Sequence, residues 1–211
     1  NYLRKRGIQM KNTEKMKKGN VAMMCFSALF AAFFAVCAWI SFPMPSGISV
    51  TLQTFGIAFG GYMLGAGWGT AAYAVYLLVG AAGFPVFSAF GSGIGQLLGV
   101  TGGYLIGFFG LAALCGIAKN VKSTPLRLLL GIAGLAVCHL CGILQFSRIS
   151  GNSFAASAAT ATLPYIAKDL ISLAAAALSA ELLLKRREIR KMFGQPDADA
   201  APESKRRNNN E

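Results

Sequence analysis

Apolar segments long enough to cross a bilayer recur along this chain, at residues 21–42, 97–118, 126–146 and 164–184. A helix needs ~20 predominantly apolar residues to cover a hydrocarbon core of ~30 Å, so each reads as one span. Residues 51–84 carry no charge, yet as a single helix they would run about 51 Å at ~1.5 Å per residue, too long for one crossing. Gly65, Gly67 and Gly69 stand at the midpoint, where a backbone reversal costs least. The stretch is therefore read as two short helices joined by a tight turn. With 55% hydrophobic and only 13% charged residues, a soluble domain of this size would have too little polar surface. The expected fold is an all-α polytopic membrane protein with six transmembrane helices.

The charges give an independent test, because Lys and Arg accumulate in cytoplasmic loops. Seven of the 20 basic residues lie at or before Lys18, Lys119, Lys122 and Arg127 lie between the fourth and fifth spans, and eight lie from Lys185 onward. Six spans place all of these on one side; five would put the C-terminal eight outside. Both termini are thus expected in the cytoplasm, with a basic segment over 1–20, a membrane domain over 21–184, and a basic, disordered tail over 185–211. The net charge of +12 and clusters such as Arg4-Lys5-Arg6 and Lys205-Arg206-Arg207 invite comparison with nucleic-acid binders. Because they flank apolar spans, they are read instead as topology signals that touch anionic lipid headgroups. The first span follows a basic stretch, but its apolar run exceeds the ~7–15 residue core of a cleaved signal, so a retained helix is expected.

Cys25, Cys37, Cys115, Cys138 and Cys141 all fall inside spans. Cys138-His139-Leu140-Cys141 places three donors on one helix, which cannot converge on one ion without distortion, and the chain has no second His. No metal site or cofactor is expected, and the cysteines are read as small apolar packing. The chain carries neither a Gly-Lys-Ser/Thr phosphate loop nor a dinucleotide fingerprint. Energy for any active transport must come from partner subunits or an ion gradient.

Two uncharged loops fall on the outer side. Residues 41–50 contain Pro43 and Pro45, which favour extended backbone. Residues 83–96 are dense in Gly and Phe. Irregular backbone survives at membrane depth only when buried in protein or lining a cavity, so the second loop is read as a cavity wall, with space-filling as the alternative. Phe87 and Phe90 offer flat apolar surfaces, while glycines such as Gly93 let main chain approach a ligand. Asp169 lies about one turn into the sixth span, and an intramembrane carboxylate marks a functional site by default; an ion pair with Arg148 or Lys168 is its structural alternative. Ser172, at i+3, shares its face. Gln53 heads the second span with an amide that can donate and accept. Tyr73, Tyr76 and Tyr104 read equally well as interfacial aromatics. Ala28, Ala31, Ala32 and Ala35 form a small-residue face on the first span, suited to internal packing or to docking a partner helix.

In order along the chain come Pro43-x-Pro45, Val50-Thr51-Leu52-Gln53-Thr54, Gly83-Phe84-Pro85-Val86-Phe87, Gly99-Val100-Thr101-Gly102-Gly103-Tyr104, and Leu163-Pro164-Tyr165-Ile166-x-x-Asp169. Together they resemble the BioY family, the biotin-binding S components of energy-coupling-factor (ECF) transporters. The resemblance implies a six-helix fold that captures biotin near the outer face. It also implies a transmembrane T component and two cytoplasmic ATPases as partners, docking at the alanine face that includes Ala28 and Ala32. Asp169, Gln53 and Ser92 would then bind the ureido ring, while Phe87, Phe90 and Tyr104 pack on the bicycle and valeryl chain. The chain departs from the family where Asp-x-x-Lys reads Asp169-x-x-Ser172, where Val100 replaces a proline, and where Leu105 stands in place of an arginine. Lys168 sits about 100° around the helix from Asp169, which leaves Arg148 as the other outer cation for a ligand carboxylate. Other readings are an S component for a different vitamin or a biotin precursor, an intramembrane enzyme, and a purely structural membrane protein. The enzyme reading lacks a base–nucleophile pair.

Overall fold

The computed structural model describes the backbone of residues 2–193 except 46, 122, 187, 188, 190 and 191, and the side chains from Gly19 onward within that set. The basic side chains before Gly19 and nearly all of the tail expected beyond Lys185 lie outside the described residues. Eight α-helices are described: α1 (Tyr2–Trp39), α2 (Gln53–Leu64), α3 (Ala66–Ala81), α4 (Ile94–Leu98), α5 (Gly102–Ala118), α6 (Thr124–Ser150), α7 (Phe154–Ala161) and α8 (Leu163–Leu184). Six of them are long and two are short. The described part is helical apart from one small antiparallel ladder, β1 (Ser41–Phe42) with β2 (Val50–Thr51), in which Ser41 faces Thr51 and Phe42 faces Val50.

The break expected within residues 51–84 falls at Gly65, whose φ of 88° is open chiefly to glycine. Its amide closes α2 on the Gly61 carbonyl, and α3 starts at the next residue. The segment expected as one span over 97–118 is interrupted instead. Helix α4 ends at Leu98, Gly99 is extended, and α5 begins at Gly102. Gln145 Nε2 donates at 2.8 Å to the carbonyls of both Leu97 and Gly99, meeting acceptors that a continuous helix would have bonded internally. A second addition is α7, capped by Ser153 Oγ accepting from the Ala156 amide.

Helix α5 lies against α6 along its length, and α2 packs between α5 and α8. The α5–α6 approach depends on missing side chains: a Cβ on Gly107 would sit 2.6 Å from the Cys138 Cα. The interior is aromatic and apolar, with Phe34, Ile57, Tyr62, Tyr73, Tyr76, Phe87, Leu111 and Leu173 fully buried. Tyr73 and Tyr76 are thus core residues, not interfacial ones. Tyr73 donates to the Leu105 carbonyl at 2.5 Å and Tyr76 accepts from Gln53 Nε2 at 2.9 Å, so each hydroxyl has a partner despite its burial. Phe193 is also buried, its ring centroid 4.7 Å from that of Phe26, so the chain stays packed on the bundle past Lys185.

Among the described residues, two helical stretches, Gly19–Trp39 and Thr124–Ser150, are long and apolar enough to cross a membrane. The outward surface is rich in large apolar residues, among them Leu29, Leu78, Leu98, Ile171 and Leu178. The alanine stripe of α1 straddles the edge of the core. Ala31 and Ala35 are buried in it, whereas Ala28 and Ala32 face outward. Of the four, only Ala28 and Ala32 are exposed on the surface of the bundle.

Candidate functional site

At one end of the bundle the hairpin, the first turns of α2 and α5, the second half of α6, the end of α7 and the first turns of α8 line a partly open cavity of about 60 Å³. Its walls include Ile48 and Thr51 from the hairpin, Gln53 and Thr54 from α2, Tyr104 and Phe108 from α5, and His139 from α6. Tyr165, Lys168 and Asp169 complete it from α8. The mixture of aromatic and aliphatic surface with a few converging polar groups is that of a small-molecule site.

The polar groups form one cluster around Asp169, which is 5% exposed. Thr54 Oγ1 donates to Asp169 Oδ1 at 2.6 Å, and the Lys168 ammonium pairs with the same oxygen. On the other side His139 Nε2 stands 3.2 Å from Asp169 Oδ2. Lys168 Nζ also donates to the Thr51 carbonyl at 3.0 Å. A buried carboxylate is tolerated when paired and hydrogen-bonded, and here hydroxyl, ammonium and imidazole surround it. Two oxygens offer about four lone-pair positions, more than Thr54 and Lys168 occupy, so acceptor capacity remains for a bound molecule. Beside this cluster Thr51 Oγ1 donates to Gln53 Oε1 at 3.1 Å while Gln53 Nε2 donates to Tyr76. The amide orientation is thereby set, with one N–H still to spare.

Two tyrosines fasten the cover. Tyr165 donates to the Ile48 carbonyl at 2.6 Å, tying the hairpin loop to α8. Tyr104 donates to the Ala161 carbonyl at 2.5 Å, with Thr162 Oγ1 3.1 Å away, tying α7 to α5. The short outer elements are therefore held by side chains that themselves line the cavity.

Of the residues singled out in the sequence, Gln53, Tyr104 and Asp169 come together here. The Gly- and Phe-rich loop contributes Ser88 instead of its phenylalanines. Phe87 is fully buried under α3, edge-on to Tyr76, and its ring fills the space left by the missing Gly80 side chain. Phe90 points outward and stacks on Trp39 at 5.4 Å. Ser92 is exposed, and the Gly93 amide is spent on the Gly80 carbonyl at 2.7 Å. Ser172 is buried next to the site without lining it. None of these five residues lines the cavity: the four in the loop follow a chain that turns at Ala89 and Phe90, both at positive φ, and Ser172 is packed inside the bundle on α8.

Lys168, expected to diverge from Asp169, reaches it through its flexible four-carbon stem, and its ammonium sits in the cavity wall. Arg148 is exposed in the last turn of α6 and lines nothing here. His139, set aside as a poor metal ligand, is a wall residue. Its signal was available as an ionisable group in an apolar span, and that of Lys168 as a cation adjacent to the carboxylate.

A model of the BioY family matches residues 10–189. The chain is 37% identical over 164 residues to the biotin transporter BioY of Thermotoga maritima, covering 77% of this chain and 95% of that one. It is 34% identical over 168 residues to the probable biotin transporter BioY of Pyrococcus horikoshii, covering 80% and 98%. Among solved structures, the S-component for biotin from an ECF-type ABC transporter superposes with a TM-score of 0.74 at 23% identity, over 86% of this chain and 98% of that one. At that identity the superposition speaks for the fold. With a family match over most of its length and two relatives above 30% identity, this chain belongs to the BioY family.

Proposed function

We propose that this protein binds biotin in the cavity beside Asp169 and serves as the substrate-binding S component of an ECF-type transporter in the cytoplasmic membrane. On this reading α1, α2, α3, α5, α6 and α8 cross the membrane, both termini are cytoplasmic, and the cavity opens outward. Transport is driven by a transmembrane T component and two ATPase subunits, which reach the S component at the outward alanines Ala28 and Ala32. The apolar outer surface, with Leu78 68% and Ile171 70% exposed, suits lipid far better than water.

The observation that carries the reading is the polar cluster of Asp169, Thr54, Lys168 and His139 in the wall of a pocket that also presents the apolar surfaces of Ile48, Leu105 and Phe108 and two tyrosine rings. Biotin offers two ureido N–H groups, a carbonyl, an apolar bicycle and an anionic tail. Asp169 accepts one N–H at a remaining lone pair, and Gln53 has a donor for the carbonyl. Tyr104, Leu105 and Phe108 pack on the bicycle. Lys168, whose third N–H is uncommitted, meets the tail carboxylate and supplies the cation absent at Ser172. Competition against labelled biotin tests this selectivity. Desthiobiotin, which keeps the ureido group and the tail, is expected to displace the label, and thiamine and riboflavin are not. Displacement by thiamine or riboflavin at biotin-like concentrations would instead favour an S component for another vitamin.

A further inference from the structure

His139 is unusual within the polar cluster because it is buried and incompletely satisfied. The residue is 9% exposed and forms part of the cavity wall. Neither imidazole nitrogen has a hydrogen-bond partner among the described residues. Nε2 stands 3.2 Å from Asp169 Oδ2, its charged neighbour in the cluster. Leaving a buried polar group unpaired costs ~1–3 kcal/mol, so such a group at the wall of a pocket is a place where a ligand atom completes the pairing. The ring cannot turn freely to seek another partner. The face of Tyr104 meets it edge-to-face, with centroids 5.8 Å apart at 87°, and Tyr104 is itself fixed through its hydroxyl to α7.

We infer that His139 is a ligand-contacting residue whose Nδ1 accepts the second ureido N–H of biotin, an assignment that rests on the biotin reading of this cavity. The carboxylate beside Nε2 favours the proton on that nitrogen, leaving Nδ1 as a bare acceptor. Asp169 and His139 then supply one acceptor each for the two N–H donors on either side of a ureido carbonyl. This assigns His139 to specificity: a ring carrying only one N–H leaves one of these buried acceptors unpaired, and such mismatches are strongly rejected.

The chain contains a single histidine, so the test can be made on the unaltered sequence. In detergent-solubilised protein labelled with ¹⁵N-histidine and carrying no histidine tag, saturating biotin is expected to move the Nδ1 resonance as it gains a hydrogen bond. A resonance that stays in place while biotin is bound overturns the assignment. His139→Leu is expected to weaken biotin binding about tenfold or more, and His139→Asn, whose amide oxygen reaches the position of Nδ1, to recover most of that loss. Wild-type affinity in a folded His139→Leu protein also overturns the assignment. Failure of the unaltered protein to bind biotin at all overturns the underlying reading of the cavity and this inference with it.

Discussion

Asp169→Ala is expected to weaken biotin binding by at least about a hundredfold. The substitution removes the acceptor for a ureido N–H and at the same time strips Lys168 and His139 of the carboxylate they share. Removing one partner of a buried, hydrogen-bonded charge pair costs ~3–5 kcal/mol, so the melting temperature of the purified protein falls as well. Asp169→Asn separates the two contributions. Its amide oxygen still accepts from Thr54, which lies 2.6 Å from Oδ1 in the native protein, but the negative charge is gone. Its affinity should fall between those of wild type and Asp169→Ala. Equilibrium binding of labelled biotin to the purified variants checks the order, and an unchanged affinity in Asp169→Ala removes this carboxylate from the site.

The second large effect is expected at Lys168. Lys168→Met keeps the length of the side chain and removes its charge, so the lost interaction is that between the ammonium and the ligand's carboxylate. Charge-assisted hydrogen bonds contribute ~1.5–3 kcal/mol, which corresponds to a loss of roughly tenfold to a hundredfold for biotin. Biotinamide, the same ligand without the anionic tail, should lose much less. This contrast identifies the contact, because Lys168 also holds Asp169 and the Thr51 carbonyl. Equal losses for biotin and biotinamide would show that Lys168 acts only by holding those groups in place.

Much of this architecture could be read from the chain alone, for physical reasons that also explain the exceptions. Apolar runs of membrane length have one stable form in a bilayer, since an isolated segment must satisfy its backbone internally; α6 and α8 follow them closely, whereas α1 extends its run back to Tyr2. The glycine break within residues 51–84 was legible because Gly65 must adopt a conformation that other residues resist. The interruption between α4 and α5 was not, because it depends on Gln145, some 46 to 48 positions away, donating to the carbonyls of Leu97 and Gly99. Composition likewise suggested that the Gly- and Phe-rich loop walls a cavity, but it could not show which way the side chains point, and of this loop only Phe87 is buried. Phe87 fills the core and Phe90 covers Trp39.

The site itself divides in the same manner. Asp169 and Gln53 stand out in sequence as polar residues in apolar surroundings, and both reach the cavity. Lys168 was discounted from helical geometry, which places a Cβ but not the end of a flexible four-carbon chain. The alanine stripe divides in a similar way: Ala28, Ala31, Ala32 and Ala35 share a helical face, yet the core boundary runs through it and buries Ala31 and Ala35. Helical periodicity gives the angle between residues, whereas the neighbours that decide burial come from distant parts of the chain.

The central claim is that the cavity around Asp169 is a biotin site, and equilibrium binding of radiolabelled biotin to the purified chain tests it most directly. The account predicts saturable binding at one biotin per chain, displaced by unlabelled biotin and lost in Asp169→Ala. Absence of saturable binding by the folded protein, or binding that Asp169→Ala leaves intact, would contradict it.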